Sequence, residues 1–193
     1  MTAVPVTASQ EMALAPSRDQ RFARLVEQHR EQAVRVAWRL TGEDRATAEE
    51  VAQDAFLRAY SGLSRFRDES EMSTWFFRIL VRQAANRRRW RGLRQRWGDL
   101  WGVSTDEGPQ VEQAPDTVAA VADPALRDHI AAAMERLSPG QRAIFTLVHL
   151  EGFTVREAAA IAAIAPGTAK SHLHRALKTL RAELRPQREE VGP

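Results

Sequence analysis

The stretch from Thr154 to Leu180 reads TVREAAAIAAIAPGTAKSHLHRALKTL, and Lys170, Ser171, His172, Arg175 and Lys178 fall on the outward side of one short helix within it. Cationic and hydroxyl groups on a single helical face suit the major groove, where they pair with phosphates and base edges. A second cationic stretch runs from Arg78 to Arg96, with eight Arg, no acid, and Trp75, Trp90 and Trp97 interleaved. Arginines track a phosphate backbone, and aromatic faces stack on unpaired bases at roughly 1–3 kcal/mol each. An ordinary helical hairpin with a solvated basic face, and tryptophans used for core packing with Trp75 partly buried, remain open as alternatives. Nothing comparable points to catalysis. The acids lie at helix starts, on exposed faces or in a connector, and no nucleophile and base pair stands out. His172 and His174, two apart, do not share a helical face, and His29 has no acid or histidine cluster in sequence, so no metal site is expected. With no Gly-rich phosphate loop, no cofactor or small-molecule substrate is expected either.

These side chains need helices to hold them. Thr154 and Glu157 have capping-box spacing, and Val155, Ala158, Ala159 and Ala162 give the first helix of the pair a small apolar face. Pro166 and Gly167 are expected to break the helix and Thr168 to cap the second one, whose buried stripe is Ala169, Leu173, Ala176, Leu177 and Leu180. Upstream, Asp123-Pro124 starts a helix through Leu126, Ile130, Ala133 and Leu137, and Ser138-Pro139 with Gln141 starts another that ends at Glu151-Gly152. In the N-terminal half, Phe22 to Leu40 follow helical spacing up to a Gly42 stop. Thr47 and Glu50 read as the capping box of the next helix. Its core face is Ala48, Val51, Ala52, Ala55, Phe56 and Ala59, and its other face is Glu49, Glu50, Gln53, Asp54, Leu57 and Arg58. An exposed Leu57 is either incidental or part of a protein-docking surface. Gly62 and the polar segment Arg65 to Ser73 interrupt the pattern before Trp75, Phe76, Ile79, Leu80 and Ala84 resume it. No strands and no solenoid repeat are visible. The expectation is an all-α chain of two small helical domains joined by a flexible acidic linker.

Charge divides the chain in the same places. Residues 1–96 carry 18 Arg against 12 acids, residues 97–126 carry six acids and no base, and residues 127–193 carry ten bases against seven acids. Two basic units flanking an acidic connector fit a polyanionic partner that the connector itself avoids. A 193-residue chain that is 44% hydrophobic can bury its own cores. No apolar run of membrane-spanning length and no signal peptide is seen, so a cytoplasmic protein without membrane insertion is expected. The absence of cysteine removes disulfides and thiol chemistry.

Two blocks carry a resemblance. Residues 48–60, AEEVAQDAFLRAY, followed by Phe66 and the segment Trp75-Phe76-Phe77-Arg78-Ile79, resemble the first conserved block of bacterial sigma factors of the extracytoplasmic-function (ECF) group, in the sigma-70 superfamily. Leu137-Ser138-Pro139-Gly140-Gln141-Arg142 and residues 167–176, GTAKSHLHRA, resemble the second. The resemblance implies a factor without enzymatic activity that gives core RNA polymerase its promoter specificity. It implies a flexible tail at 1–18, a promoter-melting region 2 at 19–97, an acidic linker at 98–123, a helix-turn-helix region 4 at 124–185 and a tail at 186–193. Gln53, Asp54, Leu57 and Arg58 match the segment that docks on the polymerase. Arg67, Asp68, Glu69 and Ser70, with Trp75, Arg78, Arg82, Asn86 and Arg89, match the region that captures a flipped minus-10 base and lines the melted promoter DNA. Thr168, Lys170, Ser171, His172, His174, Arg175 and Lys178 match the minus-35 reader. The chain departs from the family pattern at Arg82, in a place where Asn is common, and at Ala169, His172 and Leu177 in the recognition helix. An anti-sigma factor that covers both domains is a further implied partner. A stand-alone helix-turn-helix regulator and a sigma mimic that titrates an anti-sigma factor are the competing readings.

Overall fold

The computed structural model describes residues 17–42, 44–67, 70–101 and 124–184, which are helical with short connections and contain no strand. Helix α1, Arg18–Thr41, opens on a capping box in which the Ser17 hydroxyl accepts from the Gln20 N–H and the Gln20 side chain accepts from the Ser17 N–H. Gly42 closes it in the left-handed region, φ 66°, as its position in the sequence suggests.

Helix α2, Arg45–Gly62, starts earlier than the Thr47–Glu50 pattern predicts. Asp44 is the cap, its carboxylate accepting the Thr47 N–H at 2.7 Å, and Thr47 is buried inside the first turn. An ionised Asp is as good a cap as Thr, and starting at Arg45 adds the Arg45–Glu49 pair at 2.9 Å on the helix surface. The two faces of α2 divide as the periodicity predicts. Ala48, Val51, Ala52, Ala55 and Ala59 are buried, whereas Gln53, Asp54, Leu57 and Arg58 are exposed.

A single 3-10 turn, Leu63–Arg65, leads towards helix α3, Met72–Trp101, which continues past the expected boundary at residue 97. The remainder of the expected linker, residues 102–123, lies outside the described residues, as do the expected tail 1–18 apart from Ser17 and Arg18 and the whole of the expected tail 186–193, and so do Asp68, Glu69 and the expected cap Asp123.

The second half begins with helix α4, Pro124–Glu135, with proline at its first position. Helix α5, Pro139–Phe145, carries the expected Ser138–Gln141 capping box. It runs straight into a π-helical turn, Thr146–Leu150, closed by a bond from the Glu151 N–H to the Thr146 carbonyl at 3.0 Å. Helix α6, Val155–Ala162, has the expected Thr154–Glu157 box. Helix α7, Pro166–Glu183, differs from expectation: Pro166 does not break it but starts it, with Ala165 as cap and Thr168 already inside the first turn. Proline lacks only an N–H that would be unpaired there in any case. The reversal between α6 and α7 is made one turn earlier, at Ala163, which adopts φ 53°.

The two halves do not stand apart. One apolar core runs from Phe22, Val36, Phe76 and Leu80 of the first half to Ile144, Leu147, Ile161 and Ala169 of the second, with α3 against α6 and α1 against the π turn. A smaller cluster, Ala133, Leu137, Ala176 and Leu180, ties α4 to α7.

Candidate nucleic-acid interface

In the C-terminal half, the close approach of α6 and α7 depends on alanine. Ala158, Ala159 and Ala169 are all buried in the same core, so the backbones meet without intervening bulk. This seating turns one side of α7 outward. Thr168, Lys170, Ser171, His174, Arg175 and Lys178 are exposed along it, and the Ser171 hydroxyl donates to the Gly167 carbonyl at 3.1 Å. His172 is placed differently from its neighbours. Its ring lies against Gly140, where an added Cβ would come within 3.2 Å of it, and its Nδ1 is buried without a partner. The outward row of three cations and three hydrogen-bonding side chains can engage phosphates and base edges.

In the N-terminal half, Trp75 is half-buried, tilted against Phe66 with ring centroids 5.0 Å apart and resting on Gly62. This packing fixes the base of the loop that contains Arg67 and Ser70, both exposed. Farther along α3, Arg82 and Arg89 are exposed and the Arg89 guanidinium donates to the Asn86 carboxamide oxygen at 2.9 Å. Trp90 stands 67% exposed beside them, so its face is available for stacking. The docking residues Gln53, Asp54, Leu57 and Arg58 lie on α2, with Leu57 58% exposed. The positions therefore form three surfaces: the outer face of α2, the loop and α3, and the outer face of α7.

Arg78 is the exception among the α3 residues. Its Nε and Nη2 both donate to the Ala160 carbonyl of α6, at 3.1 and 2.9 Å. Arg88 is likewise engaged, its Nη2 lying 2.7 Å from Glu135 Oε2. The same carboxylate takes Arg142 Nη1 at 2.9 Å. Burial is the strongest influence on Glu135 and pushes its pKa up, but the bond from Arg142 and the charges of Arg142 and Arg88 together hold it below the ordinary range. Arg142 itself is buried, and desolvation lowers its pKa.

A third polar contact between the halves is fully enclosed. Arg39 of α1 bonds Glu151 after the π turn, with the side chains 3% and 1% exposed, and also donates to the Leu150 carbonyl at 3.3 Å. Desolvation raises Glu151 and lowers Arg39, each against the effect of its partner, so burial outweighs the attraction. Phe77 stacks edge-on against Phe153 nearby, with centroids 5.1 Å apart, and His29 against Phe77 at 5.5 Å. Periodicity did not single out Arg39, Glu135, Arg142 or Glu151. The available signal was an arginine within an apolar stripe: Arg39 follows Val36 and Ala37 and precedes Leu40, and Arg142 adjoins Ala143 and Ile144.

Among the described residues no group of three or more His, Asp or Glu could hold a metal ion, and no helix is long and apolar enough to cross a membrane.

Comparison with known proteins matches residues 25–94 to Sigma-70 region 2 and residues 127–180 to Sigma-70, region 4. Among curated proteins, the ECF RNA polymerase sigma factor SigL of Mycobacterium tuberculosis is 34% identical over 161 residues, covering 83% of this chain and 86% of that protein. RNA polymerase sigma factor CarQ of Myxococcus xanthus is 31% identical over 136 residues, covering 70% and 74%. Among solved structures, the sigma factor RpoE of Bartonella quintana, in complex with the anti-sigma factor NepR, superposes with a TM-score of 0.64 at 25% identity, over 86% of this chain and 97% of that one. CnrH in complex with the cytosolic domain of CnrY shares the fold, with a TM-score of 0.62 at 22% identity, over 87% and 90% of the two chains.

Proposed function

The chain belongs to the ECF sigma factors of the sigma-70 family, and we propose that its three exposed surfaces divide the work of transcription initiation. As an alternative sigma factor it directs initiation at its own promoters. In this reading residues 19–97 act as region 2 and residues 124–185 as region 4. The outer face of α2, with Gln53, Asp54, Leu57 and Arg58, docks on core RNA polymerase. Arg67, Asp68, Glu69 and Ser70, with Trp75, Arg78, Arg82, Asn86 and Arg89, receive the melted minus-10 DNA. The α7 row of Thr168, Lys170, Ser171, His174, Arg175 and Lys178 reads the minus-35 duplex, and His172, turned towards Gly140, supports the helix that carries it.

The observation that carries this reading is the pairing of an exposed apolar residue, Leu57, with acids and a Gln on one helix, in a chain that presents a cationic row on another. A stand-alone helix-turn-helix regulator needs only the second of these. The family is one of initiation factors rather than enzymes, so nucleotide chemistry is left to the polymerase and the chain works beside it in the cytoplasm. By analogy with RpoE and NepR, an anti-sigma factor holds the free protein inactive. The test is run-off transcription from genomic fragments with purified chain and core polymerase. Specific transcripts that disappear with Leu57→Glu support the reading. No transcripts where a control sigma factor gives them refutes it, and binding to an anti-sigma factor but not to core polymerase would replace it with the titrator.

A further inference from the structure

We infer that the ridge of Lys170, His174 and Lys178 on α7 is an acylation site, where an acyl phosphate converts two ammonium groups to neutral amides and so switches off duplex reading alone. The effect on DNA rests on the assignment of α7 to the minus-35 duplex, whereas the chemistry of the ridge does not. Of the 28 basic residues in the chain 26 are Arg, and the two lysines are Lys170 and Lys178. Both are exposed on α7, and the residue midway between them, His174, is exposed as well. Spacings of four make the three side chains successive neighbours along the helix surface, with Cβ atoms about 5–6 Å apart. Helix α7 has no acid before Glu183, and among the described residues no hydrogen bond or ion pair engages either ammonium or the imidazole. Everywhere else the chain meets its need for a cation with Arg, whose delocalised guanidinium stays protonated and resists acylation. A primary amine instead forms a stable amide, and that is what lysine adds at these two places.

The row also selects the reagent. Lys170, Arg175 and Lys178 form a cationic surface without a carboxylate, which concentrates a small anion such as an acyl phosphate. The imidazole between the amines is the group suited to take the acyl group first. A His174 ring nitrogen attacks the acyl carbonyl, forming a C–N bond, while the C–O bond to phosphate breaks and inorganic phosphate leaves with the electron pair. The neutral amine of Lys170 or Lys178 then attacks the same carbonyl. The amide C–N bond forms, the bond to the ring breaks, and the imidazole is restored. The proton lost by the ammonium goes to solvent, and no oxidant or reductant takes part. Each amide removes one positive charge from the row and leaves a single N–H. The arginines of α3 and Arg58 on the outer face of α2 have no amine to acylate, so the other two surfaces keep their charge.

The full chain is incubated with acetyl phosphate, and peptide masses locate the acetyl groups. Three proteins are compared: the parent, His174→Gln, and the double variant Lys170→Arg/Lys178→Arg. Each is tested before and after treatment on a duplex and on a single strand of equal length. Both lysines of the parent should be acetylated faster than Nα-acetyl-lysine amide in the same solution, and His174→Gln should slow both by about threefold or more. Treatment should lower the duplex affinity of the parent roughly ten- to a hundredfold at about 0.1 M salt and reduce its salt slope by about 1.8, two phosphate contacts being lost. Single-strand affinity should change by less than about twofold, and treatment should leave the duplex affinity of the double variant where it began. Lysines no faster than the free amide overturn the site, and equal rates in His174→Gln overturn the relay. Full acetylation without loss of duplex affinity overturns the switch, and an equal loss on the single strand overturns its confinement to α7. A parent that binds no duplex before treatment overturns the α7 assignment and the switch with it, so the two failures are told apart.

Discussion

Replacing Glu151 with Gln keeps the shape of the side chain and removes its charge, which isolates the electrostatic part of the contact with Arg39. The arginine is 3% exposed and its Nε already has no hydrogen-bond partner. Without the carboxylate it retains the Leu150 carbonyl at 3.3 Å and an amide oxygen, neither of which neutralises a buried cation. Removing one partner of such a pair costs about 3–5 kcal/mol. Arg39→Met is expected to cost less, because Glu151 keeps Arg35 within 3.5 Å and burial already favours its neutral form. The double variant Arg39→Met/Glu151→Leu removes both charges and is expected to lie within about 1 kcal/mol of the parent, or above it. The pair joins the two halves, so the protein can limit the cost by separating them. Urea unfolding followed by circular dichroism is therefore read together with the hydrodynamic radius. Glu151→Gln should lower the midpoint or expand the chain, and the double variant should reverse the change. A single variant with unchanged midpoint and unchanged radius would refute the claim that an enclosed pair holds the halves.

Ala163→Gly removes the left-handed alanine between α6 and α7 and should stabilise the chain by about 0.5–1 kcal/mol in urea, the steric relief exceeding the entropy glycine loses. The Asp44 carboxyl is held below its ordinary pKa chiefly by the Thr47 N–H, and Glu157 by the Thr154 hydroxyl and N–H. A carboxyl lowered in the folded state contributes stability that is present above its unfolded pKa and is lost as pH falls through the folded one, so Asp44→Asn and Glu157→Gln should each flatten the fall in melting temperature below about pH 4. Lys170→Ala and Arg175→Ala should each reduce the slope of log affinity against log salt for duplex DNA by about 0.9 while leaving the unfolding midpoint unchanged. Leu57→Glu, at a 58% exposed position, should change stability by no more than about 0.5 kcal/mol and yet abolish co-purification with core polymerase.

What the sequence disclosed was local. The Ser138–Gln141 and Thr154–Glu157 boxes are written within four residues, and both form as read. The division of α2 into an alanine-rich face and an exposed face follows from period alone. Where two local signals competed, the weaker reading was the wrong one. Thr47–Glu50 satisfied the box pattern, but Asp44 offered a charged cap three residues earlier, and Pro166 read as a breaker is equally a helix starter. The contacts between the halves were beyond reach for a different reason. Arg39 and Leu150 are 111 residues apart, Arg78 and Ala160 are 82 apart, and Arg88 and Glu135 are 47 apart. Periodicity states which face of a helix is covered but not by what, and charge totals treated these arginines as free.

The π turn at Thr146–Leu150 adds to this geometry a matter of phase. Each residue of an α-helix advances the chain by about 100°, so a turn wound one residue wider than the α-helical one shifts everything after it by nearly a third of a revolution. Glu151 is the first residue beyond that shift: its N–H closes the turn, and its side chain reaches Arg39. The bridge between the halves is thus set by residue count as well as by residue type. A single deletion between Thr146 and Leu150 would leave every charge present and the two partners facing different directions.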